Sequence, residues 1–215
     1  MENNKNSCMN FRTDIEFYKR VYISGKTPWP SDFPEEQFVR FLNDYLRDYK
    51  PCVCVDMGCG EGRHAKLLKD FFKDSLVLGF DVIMEPLKNA VKKANNSYFA
   101  VANVFFIPVR SEVVDLALDF GLFHHVRRKD GRYYKEELNR ILKPQGIFLI
   151  GVFSEKFKHY EGERRKRDFL FHRGHYDRFF TPKTLEQEFD FLQKIEICEW
   201  GRGLEWFIYG IFRKK

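Results

Sequence analysis

The run Asp56-Met57-Gly58-Cys59-Gly60-Glu61-Gly62-Arg63 places three alternating glycines directly after a short β-branched stretch, Val53-Cys54-Val55. Glycines at that spacing let the backbone approach a ligand with no Cβ in the way, and a helix starting just beyond presents N–H groups to a carboxylate or phosphate. A plain turn needs one such residue, so three favour a ligand seat. The dinucleotide fingerprint is G-x-G-x-x-G, whereas this loop reads G-x-G-x-G with Arg63 at the place of the last fingerprint glycine, which disfavours a pyrophosphate. One strand later comes Asp81, where a carboxylate can accept hydrogen bonds from both hydroxyls of a ribose. An acid there suits any adenosine ligand, so the loop carries the discrimination.

Those residues need strands to aim them. Buried-strand patterns recur at 53–55, 76–80, 98–101, 113–120 and 146–153, and helical spacing fills 64–72, 85–94 and 133–142. Lys143-Pro144-Gln145-Gly146 closes the last helix. Strand and helix alternating at this spacing mean crossover units and a parallel sheet. Upstream, 11–50 reads as a helical cap broken by Gly25-Lys26-Thr27-Pro28-Trp29-Pro30. Downstream, Thr181 and Pro182 open a helix, and 191–200 and 204–212 pair as an antiparallel hairpin around Gly201-Arg202-Gly203. We expect one domain over 1–215: cap 1–50, cofactor-binding core 51–153, basic excursion 154–180, and C-terminal helix and hairpin 181–215.

Composition bounds the rest. A chain of 215 residues with 44% hydrophobic and 32% charged residues is neither disordered nor multi-domain, and no apolar run approaches the roughly 20 residues that span a bilayer. Met1 to Asn10 is polar and lacks a secretory apolar stretch, so a cytoplasmic protein with no membrane partner is expected. Five cysteines without a C-x-x-C pair read as reduced thiols, with no metal site. The net charge of +6 is uneven: Lys156 to Arg178 holds eight basic residues against four acids (Glu161, Glu163, Asp168, Asp177), with His159, His172 and His175 among them. Interleaved Tyr160, Phe169, Phe171 and Tyr176 give this stretch the makings of a nucleic-acid surface, but the four acids favour a solvated excursion.

From Pro51 to Phe153 the sequence resembles the class I S-adenosylmethionine-dependent methyltransferases. Asp56 to Gly62 looks like their first motif, Asp81 like the acid that holds the ribose, and Ala102 to Val109 like the adenine-binding stretch, with Asn103 where aspartate is usual. Asp115 to Val126 resembles their fourth strand and following loop, and Glu136 to Gly146 the helix and turn before the fifth. The resemblance implies a Rossmann-like, doubly wound α/β fold with a mostly parallel seven-stranded sheet and one antiparallel strand near the C-terminus. It implies S-adenosyl-L-methionine as cofactor, bound by Asp56, Gly58, Cys59, Gly60, Asp81, Val82, Asn103, Val104, Asp119 and Phe120.

Methyl transfer from a sulfonium is an in-line displacement, so alignment of the acceptor is the protein's first task, and a base is needed only where the acceptor holds its proton tightly. His124 and His125, just past the fourth strand, are the candidates for proton transfer; a structural place on the cofactor shelf is the alternative. Asp119 either faces the cofactor's ammonium or caps the next turn. Trp29 either closes over the substrate or staples the cap to the sheet. The expected acceptor is a small molecule, because the loop after strand four lacks the Asn-Pro-Pro-Tyr or Asp-Pro-Pro-Tyr element of relatives that methylate amino groups on bases or on glutamine. An RNA or protein methyltransferase using 156–178 and a non-catalytic cofactor-binding subunit are the rivals. A third use of the basic stretch is to cover the acceptor pocket.

Overall fold

The computed structural model describes residues 12–25, 27–28 and 33–215; Trp29 lies outside them. Two helices, α1 (Arg12–Ser24) and α2 (Glu36–Tyr45), precede the core. The core then alternates as the periodicity predicts: β1 (Val53–Met57), α3 (Arg63–Phe71), β2 (Leu76–Asp81), α4 (Met84–Lys93), β3 (Ser97–Val101), β4 (Val114–Phe120), α5 (Gly131–Ile141) and β5 (Leu142–Phe153). After β6 (Phe169–His172), β7 (His175–Arg178) and α6 (Pro182–Glu188), the hairpin of β8 (Leu192–Arg202) and β9 (Glu205–Lys214) completes the chain.

Seven strands form one sheet in the order β3-β2-β1-β4-β5-β9-β8. The first five are parallel, and β9 runs antiparallel to both β5 and β8. Successive side chains of a strand point to opposite faces. Val55, Met57 and Ala117 therefore enter one apolar cluster while Cys54, Leu116 and Leu118 enter the other, and both faces are covered. The order reverses at β1, with β2 on one side and β4 on the other, so a crevice opens past their carboxyl ends. The register brings Asp56, Asp81 and Asp119 to that edge, since Met57 pairs with both Phe80 and Asp119.

Two stretches differ from expectation. Leu142 already pairs with Val114, and the ladder resumes at Leu116 with Ile147, so residues 143–146 form a bulge within β5 rather than only a helix-closing turn. Gln145 takes the left-handed conformation there (φ 64°). More consequentially, 154–180 is not a solvated excursion. β6 and β7 pair as an antiparallel hairpin, and all four residues of β7 are buried. The aromatic content anchors the segment: Phe157 and Phe179 stack on Phe153, and Phe180 stacks on Phe123. Part of its charge is paired, while Arg164, Lys166, Arg167 and Arg173 stay exposed. Arg178 pairs with Asp168 and Glu188, Arg165 with Glu163, and Lys156 with Glu199.

The predicted C-terminal helix start is present, with Thr181 Oγ1 accepting from Thr184 N (3.1 Å) and Thr184 Oγ1 from Thr181 N (2.8 Å). Among the described residues no helix is long and apolar enough to cross a membrane.

Candidate active site

The loop after β1 is shaped by backbone conformations that favour glycine. Gly62 sits at φ 80°, and a Cβ there would lie 2.8 Å from Ala90 Cβ, so α3 and α4 approach closely only because it is absent. Gly60 sits at φ 50°, and its missing Cβ leaves room for Tyr22 Oη, by which α1 covers the loop. The loop's amides are mostly spent within the fold. Gly58 N and Cys59 N donate to Phe80 O, Gly62 N to Cys59 O, and Gly60 N to Asp81 Oδ2 at 3.0 Å. The loop thus offers a close-fitting floor more than the set of donors its glycines predict.

A cavity of about 250 Å³ lies over that floor. Of the ten predicted cofactor residues, Gly58, Cys59, Gly60, Asp81, Val82, Asn103, Val104 and Phe120 line it together. Asp56 and Asp119 do not. Asp119 is wholly buried and accepts from Leu122 N, Phe123 N and Tyr134 Oη (2.6 Å), so of its two readings the structure shows the turn cap. Asp56 lies behind the loop with Oδ2 buried and unpartnered among the described residues. Asn103 Oδ1 accepts from Phe105 N (3.0 Å), an Asx-type turn that fixes the strip after β3.

Burial pushes all three carboxyls up, Asp56 to about 7 and Asp81 and Asp119 to about 6. Backbone amides partly offset this at Asp81, as does the Tyr134 hydroxyl at Asp119. Ionised above about pH 6, Asp81 and Asp119 make a negative field at the crevice that a cationic ligand relieves.

The histidine pair divides. His124 is buried, stacked at 3.7 Å on Phe153, and its Nδ1 accepts from Phe153 N (3.1 Å), so its proton belongs on Nε2. Burial pushes its pKa well below the usual value, and it stays neutral. As a donor it fits the shelf reading; its lone pair is not available for proton abstraction. His125 also lines the cavity, but its Nδ1 turns away, 2.8 Å from Asp177 Oδ1 and 3.1 Å from Tyr176 O. Both neighbours accept only, so Nδ1 carries the proton and the lone pair falls to Nε2.

Sequence reasoning missed the cavity's aromatic side: Tyr18 and Tyr22 of α1, Phe153 of β5 and Phe207 of β9. The i, i+4 spacing of Tyr18 and Tyr22 was a readable signal, since it places both on one helix face. Phe207 arrives only through the sheet order. Among the described residues no group of three or more His, Cys, Asp or Glu side chains is arranged to hold a metal ion.

Sheet order, glycine floor, strand-end Asp81 and cationic preference together fit an adenosyl sulfonium: the carboxylate suits a ribose, the 102–105 strip an adenine, and the buried negative field the positive sulfur and ammonium. Residues 55–150 match the methyltransferase domain family. The chain is 27% identical over 161 residues to ribosomal RNA-processing protein 8 of Arabidopsis thaliana; the match covers 74% of this chain but only 49% of that relative, so the chain spans about half its length. Among solved structures it is similar to 1,6-didemethyltoxoflavin-N1-methyltransferase of Burkholderia thailandensis, with TM-score 0.78 and 19% identity over 100% of this chain and 93% of that one. It is also similar to the N-methyltransferase NodS of Bradyrhizobium japonicum WM9, with TM-score 0.70 and 15% identity over 94% and 98% of the two chains.

Proposed function

We propose that the chain methylates a small, mostly flat acceptor held between the cofactor seat and the aromatic wall. The observation that carries this is the enclosure: α1, the β5 end and β9 bring Tyr18, Phe153 and Phe207 over the same cavity that Gly58 to Gly60 floor. Pockets that bury a small ligand are mostly apolar with a few placed polar groups. The bound cofactor supplies an activated methyl group. In this reading Asp81 accepts from the ribose, Asn103 and Val104 flank the adenine, Gly58, Cys59 and Val82 shape the seat, and Phe120 packs against it. The Arg63 guanidinium lies 5.0 Å above the Phe120 ring and 3.3 Å from Glu35, stiffening the wall where α2 meets α3. Aligning acceptor and methyl is worth up to about 7–11 kcal/mol of barrier. The protein is expected to work in the cytoplasm.

The test is methyl transfer from a radiolabelled donor to a fractionated cell extract. Label entering the low-molecular-weight fraction supports the proposal, and label entering only RNA or protein refutes it. RNA is the second reading, favoured by the exposed cations Arg164, Lys166, Arg167 and Arg173 and exposed Tyr160 and Phe171 in one segment, and by the similarity to a plant ribosomal RNA-processing protein.

A further inference from the structure

Asp177 is completely buried, and three imidazoles surround it. His125 Nδ1 lies 2.8 Å from Oδ1, while His159 Nε2 and His175 Nε2 lie 2.9 and 3.0 Å from Oδ2. The contacts are bent away from ideal hydrogen-bond alignment, and the described residues offer the carboxylate no better partner. One imidazole N–H facing a buried carboxylate would not offset the cost of burying it; three offset more of that cost. Burial opposes ionisation here, yet the bonds from His125, His159 and His175 overcome it and hold the carboxyl well below its usual range.

The cluster draws on four separate pieces of chain. His125 comes from the turn after β4, His159 from the loop after β5, and His175 and Asp177 from β7, while Phe17 of α1 stacks at 4.1 Å on His175. Only His125 of the four lines the cavity. The other groups facing it are Tyr18 of α1, His124 in its own turn, and Asp119 of β4.

Resting on the methyltransferase reading of this cavity, we propose that Asp177, kept ionised by His159 and His175, makes His125 Nε2 the base of the site, and that the acceptor is therefore a compact, largely apolar molecule that loses a proton from a hydroxyl or ring N–H. The acceptor atom takes the methyl group as the sulfur–carbon bond breaks and its electron pair stays on sulfur. The acceptor's proton passes to Nε2. The positive charge leaves the sulfonium and reappears on the imidazolium, where Asp177 balances it until water takes the proton away. An acceptor already ionised near neutral pH, such as a thiol, would have no use for this arrangement. His125 is the catalytic residue, and Asp177 is a positioning residue that acts through it.

Histidine-selective nitrogen NMR on the full chain decides between a proton-relay cluster and mere packing. The expected result is the Nδ1–H tautomer for neutral His125 in the wild type, with the Nε2–H form appearing in Asp177→Asn. Unchanged affinity for S-adenosylhomocysteine in both proteins would confirm that the fold and cofactor seat survive, and keeps failure of this inference apart from failure of the methyltransferase reading. Against a panel of phenols, N–H heterocycles and thiols, Asp177→Asn is expected to lower kcat by about 10²–10⁴ with KM little changed. Asp177→Glu should recover part of the loss, and His159→Gln should show a smaller one. An Nε2–H tautomer in the wild type overturns the proposal. So does selective turnover of thiols that survives His125→Gln.

Discussion

The carboxylates at the crevice are where single residues can be read most directly. Asp81 must be ionised to accept from two hydroxyls, and burial has raised it to about 6. Affinity for S-adenosylhomocysteine is therefore expected to hold above pH 7 and to fall as pH drops through 6, with Asp81→Ala at least tenfold weaker at pH 7.5; calorimetry across that range checks both. Asp56 makes a converse case. Its folded value, about 7, lies above the ordinary 3.8, so the native state holds the extra proton and stability declines as pH rises from about 4 to 7. Asp56→Asn should flatten that slope in urea unfolding series, and a slope that stays the same would mean the charge is not penalised.

The place of Asp81 and the loop glycines at the cavity was legible because motif and strand end coincide, whereas Asp56 falls outside the lining. Asp119 was legible only as a choice, settled by where Leu122, Phe123 and Tyr134 fall. His124 and His125 are adjacent and chemically identical in sequence. What separates them is the register that puts Phe153 N against one and Asp177 against the other, and no local pattern encodes that.

At the scale of elements, the strand–helix alternation and the closing hairpin followed from periodicity, because each element's own side chains determine which faces it must bury. Segment 154–180 did not. Counting its charges pointed to solvent, whereas its aromatics and paired acids bind it to the β5 end; charge balance reports neither partner nor burial. Two substitutions probe the joints. Gly62→Ala places a methyl against Ala90 in a left-handed residue and is expected to cost about 1–3 kcal/mol in urea unfolding. Thr181→Ala removes the cap of α6 and should cost about 1 kcal/mol by the same measurement.

For the molecule as a whole, the sheet divides labour along its length. One half, β1 to β3 with β4, carries the parts that resemble methyltransferases and that the proposed function assigns to the donor. The other half, from the β5 end through β9, encloses the space in front of it. Reversing the charges of Arg164, Lys166 and Arg167 tests what the outside of that enclosure does: a small-molecule enzyme should keep its turnover, whereas an RNA enzyme should lose salt-sensitive binding.

Because β7 supplies Tyr176 O and Asp177 to His125 while none of its own residues lines the cavity, changes within this strand are expected to reach the acceptor through His125.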